Sequence, residues 1–427
     1  DLNAIPTQLV EQVDNLTVGG APTYGSDAIA GTVNVILRRD YEGLEVGTTI
    51  GATQYGDNQR FNGRVLWGTN FADGRGNFTL AGAVDTSEGV RQTERDIFNR
   101  NIFYGVNPLA GSAAILPGRT PANDGRANPL IPFNTGSNDG IPNAVLAFNR
   151  RLSPLTYGGL LFPATGATSN ASGQPRGFGT AGTTWLQFDS NGQIIPYNPG
   201  TPFGTLDASG GDGLNLTETG QIISDLDRAN LYSTASFQVT DNFGTYFEGM
   251  YFKSKGTEIV DQPIFNATVF GGLSAPITFS ANDPRLTDQA RSVLAANGIT
   301  SFRVSRASRD LVENNSSTET QLYRAVFGGT LDFQVGDYDY VWDTSVTYGR
   351  SDADNFQTVL NQQNFINAMN VTRNAAGQLV CDPNGTLAIP GGGRPVADPN
   401  CRPIDIFGEG RSSAEGRNYV TGITEAN

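Results

Sequence analysis

Apolar and polar residues alternate along several segments of the chain from Leu44 onward. The apolar or β-branched positions of the first three segments are Leu44, Val46, Thr48 and Ile50, then Phe61, Val65, Trp67, Thr69 and Phe71, then Phe78, Leu80 and Val84. The positions between them in the second and third segments are polar: Arg60, Asn62, Arg64 and Asn70, then Asn77, Thr79 and Asp85. A period of two predicts β-strands with one apolar and one polar face.

Four further strands are predicted by the same pattern, at residues 230–239, 245–255, 320–333 and 339–350. The facing of the strand at 245–255 is ambiguous, because Phe247 and Tyr251 alternate with Tyr246, Met250 and Phe252. The connections are short at 72–76, 240–243 and 335–337, and very long at 86–228, 256–317 and 351–421. Short turns at one end and long loops at the other are typical of transmembrane β-barrels. Within the second long loop, residues 282–298 are predicted to form a helix over the barrel mouth.

The stretch before these strands has a distinctive order of elements. Residues 14–18 and 32–37 are predicted strands, separated by a glycine-rich turn and one short helical turn that Ser26 could cap. The residues that define the motif are Tyr24, Gly25, Ser26, Asp27, Ala28, Ile29, Gly31, Asn34, Arg38 and Arg39. This segment resembles the end of the plug domain in TonB-dependent outer-membrane receptors. Stretches at 303–310, 323–333, 342–351 and 401–410 also resemble a subgroup of these receptors.

The resemblance implies an all-β fold. Residues 1–40 would be the C-terminal part of the plug, and residues 41–427 the N-terminal part of a transmembrane antiparallel barrel of about 22 strands. Seven or eight of those strands would lie in this chain. We interpret the sequence as a fragment, because it opens on Asp1 without an initiator methionine, and more strands must follow to satisfy the edge of the sheet.

The same resemblance implies a function in the outer membrane of a Gram-negative bacterium. The expected function is energised uptake of a scarce nutrient into the periplasm, driven by the TonB–ExbB–ExbD complex, whose contact region would precede Asp1. An iron–siderophore, a carbohydrate and a cobalamin all remain open as the ligand. The alternatives are a barrel-based surface adhesin, a passive porin and, structurally, a soluble β-sandwich.

Composition narrows the choice of class. The 427 residues contain no apolar run long enough for a transmembrane helix, so a membrane protein of this composition would be a barrel. The net charge of −14 and the absence of basic runs argue against nucleic-acid binding. The chain has no histidine and no nucleophile motif, so we expect no enzyme activity, no cofactor and no metal site. The acidic residues Asp207, Asp212 and Glu218 do not have the spacing of an EF-hand calcium loop.

Two cysteines, Cys381 and Cys401, are predicted to form a disulfide, since without histidine they make a poor zinc site. The alternative is two free thiols. A disulfide closing this loop would stabilise the fold by about 3 kcal/mol and would indicate an oxidising compartment.

Two sets of aromatic residues are candidates for function. Rings that border the short turns could anchor the strands at a membrane interface: Trp67, Phe71, Phe237, Tyr340 and Trp342. Rings in the first long loop could stack on a ligand, although such a long loop also needs rings for internal packing: Phe103, Tyr104, Trp185, Phe188 and Tyr197. Asp27, Arg38 and Arg39 are predicted to pair with charges on the inner wall and to retain the plug.

Overall fold

The computed structural model describes residues 4–17, 31–107, 120–134, 136, 138–165, 176–204, 206–259, 264–265, 277–313, 315–387 and 393–426. Strands dominate it, at 50% of the residues, and its sheets are antiparallel, which confirms the all-β prediction. None of the described helices is both long and apolar enough to cross a bilayer.

One eight-stranded antiparallel sheet organises the molecule. Its strands are β3 (Gly43–Gly51), β4 (Arg60–Phe71), β5 (Gly76–Ser87), β6 (Asp225–Thr240), β7 (Phe243–Ile259), β8 (Asn315–Val335), β9 (Tyr338–Leu360) and β10 (Thr421–Ala426). Each strand pairs with its sequence neighbours, from β3 at one edge to β10 at the other. The described residues do not close this sheet into a barrel.

All seven strands expected from the alternation are present, and β6, β7, β8 and β9 extend beyond the predicted ranges towards the long loops. The short connections 72–75, 241–242 and 336–337 lie at one end of the sheet. The first of them turns through three consecutive residues with positive φ, Ala72, Asp73 and Gly74. The connections 88–224, 260–314 and 361–420 leave the opposite end.

The register divides the sheet into two faces. Residues directly opposite each other in antiparallel strands lie on the same face, so the pairs Leu66↔Ala81, Ala81↔Tyr232 and Tyr232↔Met250 belong together. We call this the inner face and the opposite one the outer face. Phe247 and Tyr251 therefore lie on the outer face, whereas Tyr246, Met250 and Phe252 lie on the inner face, which resolves the ambiguity of that strand.

The residues before β3, of which 4–17 and 31–42 are described, cover part of the inner face, and we call them the opening segment. Strands β1 (Val10–Leu16) and β2 (Thr32–Leu37) form an antiparallel pair, preceded by a 3₁₀ turn at Thr7–Leu9. Leu9 is fully buried against Leu66, Ala81 and Tyr232. The Gln8 amide donates to the Gly82 carbonyl at 2.9 Å.

The three long connections pack together at the end of the sheet opposite the short turns. They share one hydrophobic cluster, whose members include Phe188 from the first connection, Phe279 and Phe302 from the second, and Phe365 and Phe407 from the third. We call this unit the loop body. Its helices are α1 (Asp96–Asn99), α2 (Asp288–Ala296), α3 (Gln362–Met369) and α4 (Ala414–Val420).

Short strands complete the loop body. They are Val90–Arg91, Phe103–Val106, Ala144–Ala147, Arg150–Leu152, Leu160–Pro163, Leu186–Phe188, Ile194–Pro196, Thr201–Phe203, Asp207–Ser209, Gln221–Ile223, Ile264–Phe265, Thr278–Ser280, Ser301–Ala307, Val371–Arg373 and Leu379–Cys381. The predicted helix at 282–298 starts later than expected, because Thr287 caps α2 by accepting from the Ala290 amide. Asp283 instead forms a buried ion pair with Arg285 at 2.7 Å.

Candidate functional site

The segment that follows β2 is seated on the inner face through a backbone carbonyl. Asn77 Nδ2 donates to the Tyr41 carbonyl at 2.9 Å, and Thr79 Oγ1 donates to Asn77 Oδ1 at 2.8 Å. Gly68 leaves room for this seat, since a Cβ at that position would come within 2.1 Å of the same carbonyl oxygen. Residues 38–42 are therefore held on the inner face by a hydrogen bond and by close packing of the Tyr41 carbonyl against Gly68.

Charged side chains link the same segment to the inner face. Arg39 Nη2 lies 3.7 Å from Glu248 Oε1, and Arg324 Nη1 lies 3.4 Å from Glu248 Oε2. The Tyr232 hydroxyl donates to the same carboxylate at 3.2 Å. Arg38 Nη1 lies 3.8 Å from Glu45 Oε2 on β3. Glu248 is thus the shared acceptor on which the opening segment, β6 and β8 converge.

A polar cavity of about 560 Å³ lies beside this contact. It is lined by Arg39 and Asp40 of the opening segment and by side chains of the inner face near the short turns, including Asn77, Tyr246 and Glu248. The Ser236 hydroxyl donates to Asp40 Oδ1 at 3.1 Å across it. The cavity is therefore lined jointly by the opening segment and by the sheet near the short turns.

The plug-motif residues are only partly described. Tyr24, Gly25, Ser26, Asp27, Ala28 and Ile29 lie outside the described residues, so the predicted pairing of Asp27 is not tested. Gly31 has φ of 136°, and Asn34 on β2 is in register with Asp14 on β1. Arg38 and Arg39 contact carboxylates of the sheet, as described above, but their role in retaining a plug stays a prediction.

The five loop aromatics differ in exposure. Phe188 and Tyr197 are buried, Phe103 packs edge-on against Phe203 at 5.4 Å, and Trp185 packs against the cluster that contains Tyr197. Tyr104 is 74% exposed. Internal packing therefore accounts for four of these rings, and Tyr104 is the one whose ring is open to a partner in solution. Ligand contact by any of them stays a prediction.

The rings near the short turns lie on the outer face. Phe71 stacks on Phe237 at 6.0 Å, and Phe333 stacks on Tyr340 at 5.6 Å. Trp67 and Trp342 are 40% and 60% exposed on the same face. Phe333 and Tyr340 lie on neighbouring strands, whereas Phe71 and Phe237 meet across Gly76 of the strand between theirs. We call the rings at this end of the outer face the aromatic row.

A second recess lies in the loop body, where its first and second connections meet. This cleft has a volume of about 440 Å³ and is lined by Arg151, Tyr157, Gln187, Asp212, Asn215, Glu218 and Arg309, together with Gly211 and Gly213. Arg309 bridges two carboxylates, Glu218 at 2.9 Å and Glu409 at 2.7 Å. Its guanidinium carbon lies 3.6 Å from the centre of the Tyr157 ring. Burial raises the pKa of the Tyr157 hydroxyl, which is therefore neutral.

The predicted disulfide between Cys381 and Cys401 is confirmed. It closes the segment that follows α3 in the third connection. Nearby, the Tyr419 hydroxyl donates to Asp398 Oδ2 at 2.7 Å, and this hydrogen bond lowers the pKa of the Asp398 carboxyl. The third connection is thus held by a covalent link and by polar contacts.

In the part of the chain that the structure describes, no group of three or more acidic or cysteine side chains could hold a metal ion. No family model matches the sequence. Glu248, Arg324 and Asn77 were not predicted from the sequence as contacts of the opening segment. The alternation along β7 would place Glu248 on the inner face once the facing of that strand is known. The neighbouring residues in the sequence do not indicate which inner-face side chain contacts Arg39.

Proposed function

We propose that this chain belongs to a TonB-dependent outer-membrane receptor that takes up a scarce nutrient, an iron–siderophore or a carbohydrate, into the periplasm. One observation carries the proposal. The outer face is a broad apolar surface exposed to the surroundings, while the polar inner face is partly covered by the opening segment. A soluble sandwich would bury the apolar face against a second layer. Instead, Leu44, Val346 and Phe327 are 67%, 75% and 63% exposed.

The distribution of charge on the outer face supports a bilayer as the partner of that surface. Between the aromatic row near the short turns and a row formed by Tyr251, Tyr323 and Tyr348, the outer positions carry no acidic or basic side chain. Charges begin immediately beyond the tyrosines, with Lys253 and Arg350 as examples. Aromatic rows that border an uncharged apolar band are the pattern of a membrane-embedded strand wall.

The height of this uncharged band also agrees with the thickness of a bilayer's apolar region. On β8, Tyr323 and Phe333 are about ten residues apart, which corresponds to ~33 Å along a strand. A strand tilt of about 40° reduces this length to ~25 Å along the membrane normal, the height of the apolar band in outer-membrane barrels.

The contact of Arg39 with Glu248 suggests how uptake could be controlled. A ligand opens a path only if it binds more tightly to the state in which the opening segment is released than to the retained state. Because the Glu248 carboxylate is shared by Arg39, Arg324 and Tyr232, Arg39 can leave without stranding an unpaired carboxylate. This arrangement suits a contact that must break and re-form during transport.

The decisive experiment measures location and energy dependence together. The full-length protein is expressed in a Gram-negative host with and without TonB, and uptake of a labelled ferric siderophore and a labelled oligosaccharide is followed. We expect the protein in the outer-membrane fraction and uptake of one ligand that disappears without TonB or after the proton gradient is collapsed. Uptake that persists under both conditions would favour a passive porin. Binding of cells without uptake would favour an adhesin, and a protein soluble without detergent would overturn the membrane assignment.

A further inference from the structure

The cleft of the loop body is lined by Arg151, which forms no salt bridge with the residues that the structure describes. Arg151 lies on the short strand Arg150–Leu152, whose backbone pairs with Asp207–Ser209. Its neighbour Arg150 pairs with Asp207 at 2.7 Å, whereas among the described residues no carboxylate forms a salt bridge with Arg151. The Nε atom of Arg151 is buried and has no hydrogen-bond partner there. Because Arg151 lines the cleft, its guanidinium can pair there with an anionic group from outside the chain.

The other polar side chains of the cleft are two carboxylates, two amides, the Tyr157 hydroxyl and the guanidinium of Arg309. Asp212 Oδ2 accepts hydrogen bonds from Gln187 Nε2 at 2.8 Å and from the backbone N–H of Asn198 at 2.9 Å, and these bonds fix the carboxylate in place. Glu218 is fixed by Arg309, and Asn215 Nδ2 lies 3.4 Å from Glu218 Oε1. Two positioned carboxylates can accept hydrogen bonds from ligand hydroxyls.

We propose that this cleft binds an acidic saccharide, with Arg151 pairing with a sugar carboxylate and with Asp212 and Glu218 accepting from sugar hydroxyls. The inference builds on the proposed function, since it chooses the class of ligand that the receptor captures. A planar guanidinium matches a carboxylate with two parallel hydrogen bonds. A ferric catecholate fits less well, because its oxygens bind the metal and offer no hydroxyl donors to Asp212 and Glu218, which would then only repel its charge.

The position of the cleft agrees with a capture site. Its lining residues come from the first and second connections, and Arg309 ties it to Glu409 of the third. A ligand seated there would contact the junction that holds the three connections together. Occupancy of the cleft can therefore affect the loop body as a whole.

The test measures binding directly, without transport. The full-length protein in detergent is titrated calorimetrically with short oligomers of galacturonate, mannuronate and glucuronate, with the methyl-esterified form of each as the neutral counterpart, and with a ferric catecholate. We expect one acidic oligosaccharide to bind and its ester to bind at least tenfold more weakly. In Arg151→Gln, affinity for the acid falls about 10–100-fold, as expected for loss of a charged hydrogen-bonded pair, while the already weak affinity for the ester changes little.

Two further variants separate the site from general effects. Arg151→Lys keeps the charge but not the planar pair, so its affinity should lie between those of the wild type and Arg151→Gln. Arg402→Gln removes an exposed arginine that does not line the cleft, and it should bind like the wild type. Acid and ester binding equally well, or Arg151→Gln binding like the wild type, would overturn the site.

The outcomes also distinguish the two proposals. If the ferric chelate is taken up in a TonB-dependent way and no saccharide binds, the saccharide site is contradicted and the receptor function is supported. If an acidic saccharide binds and its binding depends on Arg151, but uptake does not require TonB, the saccharide site is supported and the receptor function is contradicted.

Discussion

Single residues on the inner face determine whether the opening segment can be seated there. Gly68 is the clearest case, because the carbonyl of Tyr41 occupies the space that a Cβ would need. Asn77 uses its amide to bond both that carbonyl and Asn70 Oδ1, at 2.9 and 2.8 Å. A glycine and an amide on adjacent strands thus make a specific site for one backbone group.

Gly68→Ala should therefore loosen the opening segment. We expect a cost of about 1–3 kcal/mol from the steric conflict, expressed as release of residues 38–42 from the sheet, because the sheet is the larger and stiffer unit. Limited proteolysis after Arg38 and Arg39 measures this release, and cleavage should be faster in the variant.

Gly82→Ala is the matched control for that variant. Gly82 lies on β5 with its open side on the outer face, where a Cβ would meet Leu231 Cδ1 at an ordinary 3.4 Å. Its proteolysis should resemble that of the wild type. Equal cleavage in both variants would mean that Gly68 does not control the binding of residues 38–42 to the inner face.

At the scale of the element, the strands could be predicted because their period of two is local. Each strand from β3 to β9 was indicated by its own alternation. The ambiguity at β7 arose because both of its faces carry rings, and Phe247 and Phe252 are told apart only by their neighbours on β6 and β8. Helix α2 began later than predicted for a similar reason, since the Asp283–Arg285 pair is formed by tertiary burial.

Adjacent residues on β9 provide a test of the membrane face. Val346 lies on the outer face opposite Phe327, near the middle of the uncharged band, and Thr347 points to the inner face. We expect Val346→Arg to destabilise the membrane-inserted protein by about 2–4 kcal/mol, because a charge on the lipid face at mid-depth is unfavourable. Thr347→Arg should have much less effect. Yield in the outer-membrane fraction and resistance to unfolding in detergent measure the difference.

The same pair of variants can contradict the proposal. In a soluble protein both side chains would meet water, since both positions are exposed in the structure. Equal behaviour of the two variants would therefore argue against a bilayer around the outer face.

At the scale of the whole molecule, the main feature that the sequence did not reveal is the loop body. The three long connections carry few periodic segments, and the contacts that join them link residues more than a hundred positions apart. Phe407 illustrates this, because it stacks on Phe188 at 4.9 Å and packs edge-on against Phe279 at 5.1 Å. Of the five rings predicted to meet a ligand, Phe188 belongs to this shared cluster, and Phe103, Trp185 and Tyr197 pack within the first connection. An isolated aromatic residue in a loop gives no local sign of whether its partner is a ligand or another loop.

Phe407→Ala tests whether the three connections form one cooperative unit. Phe407 is almost fully buried and contacts rings from the other two connections, so its truncation should destabilise the loop body by about 3–5 kcal/mol. If the connections fold together, amide hydrogen exchange should accelerate at Leu186–Phe188, Thr278–Ser280 and Gln362–Met369 to a similar extent. Strands β4 to β7 should keep their protection, because their pairing does not involve Phe407.

Phe98→Ala, a truncation of a partly exposed ring in the first connection, should leave all three segments unchanged. Faster exchange confined to residues near Phe407 would show instead that each connection is stable by itself, and a ligand in the cleft would then have no packed core through which to influence all three.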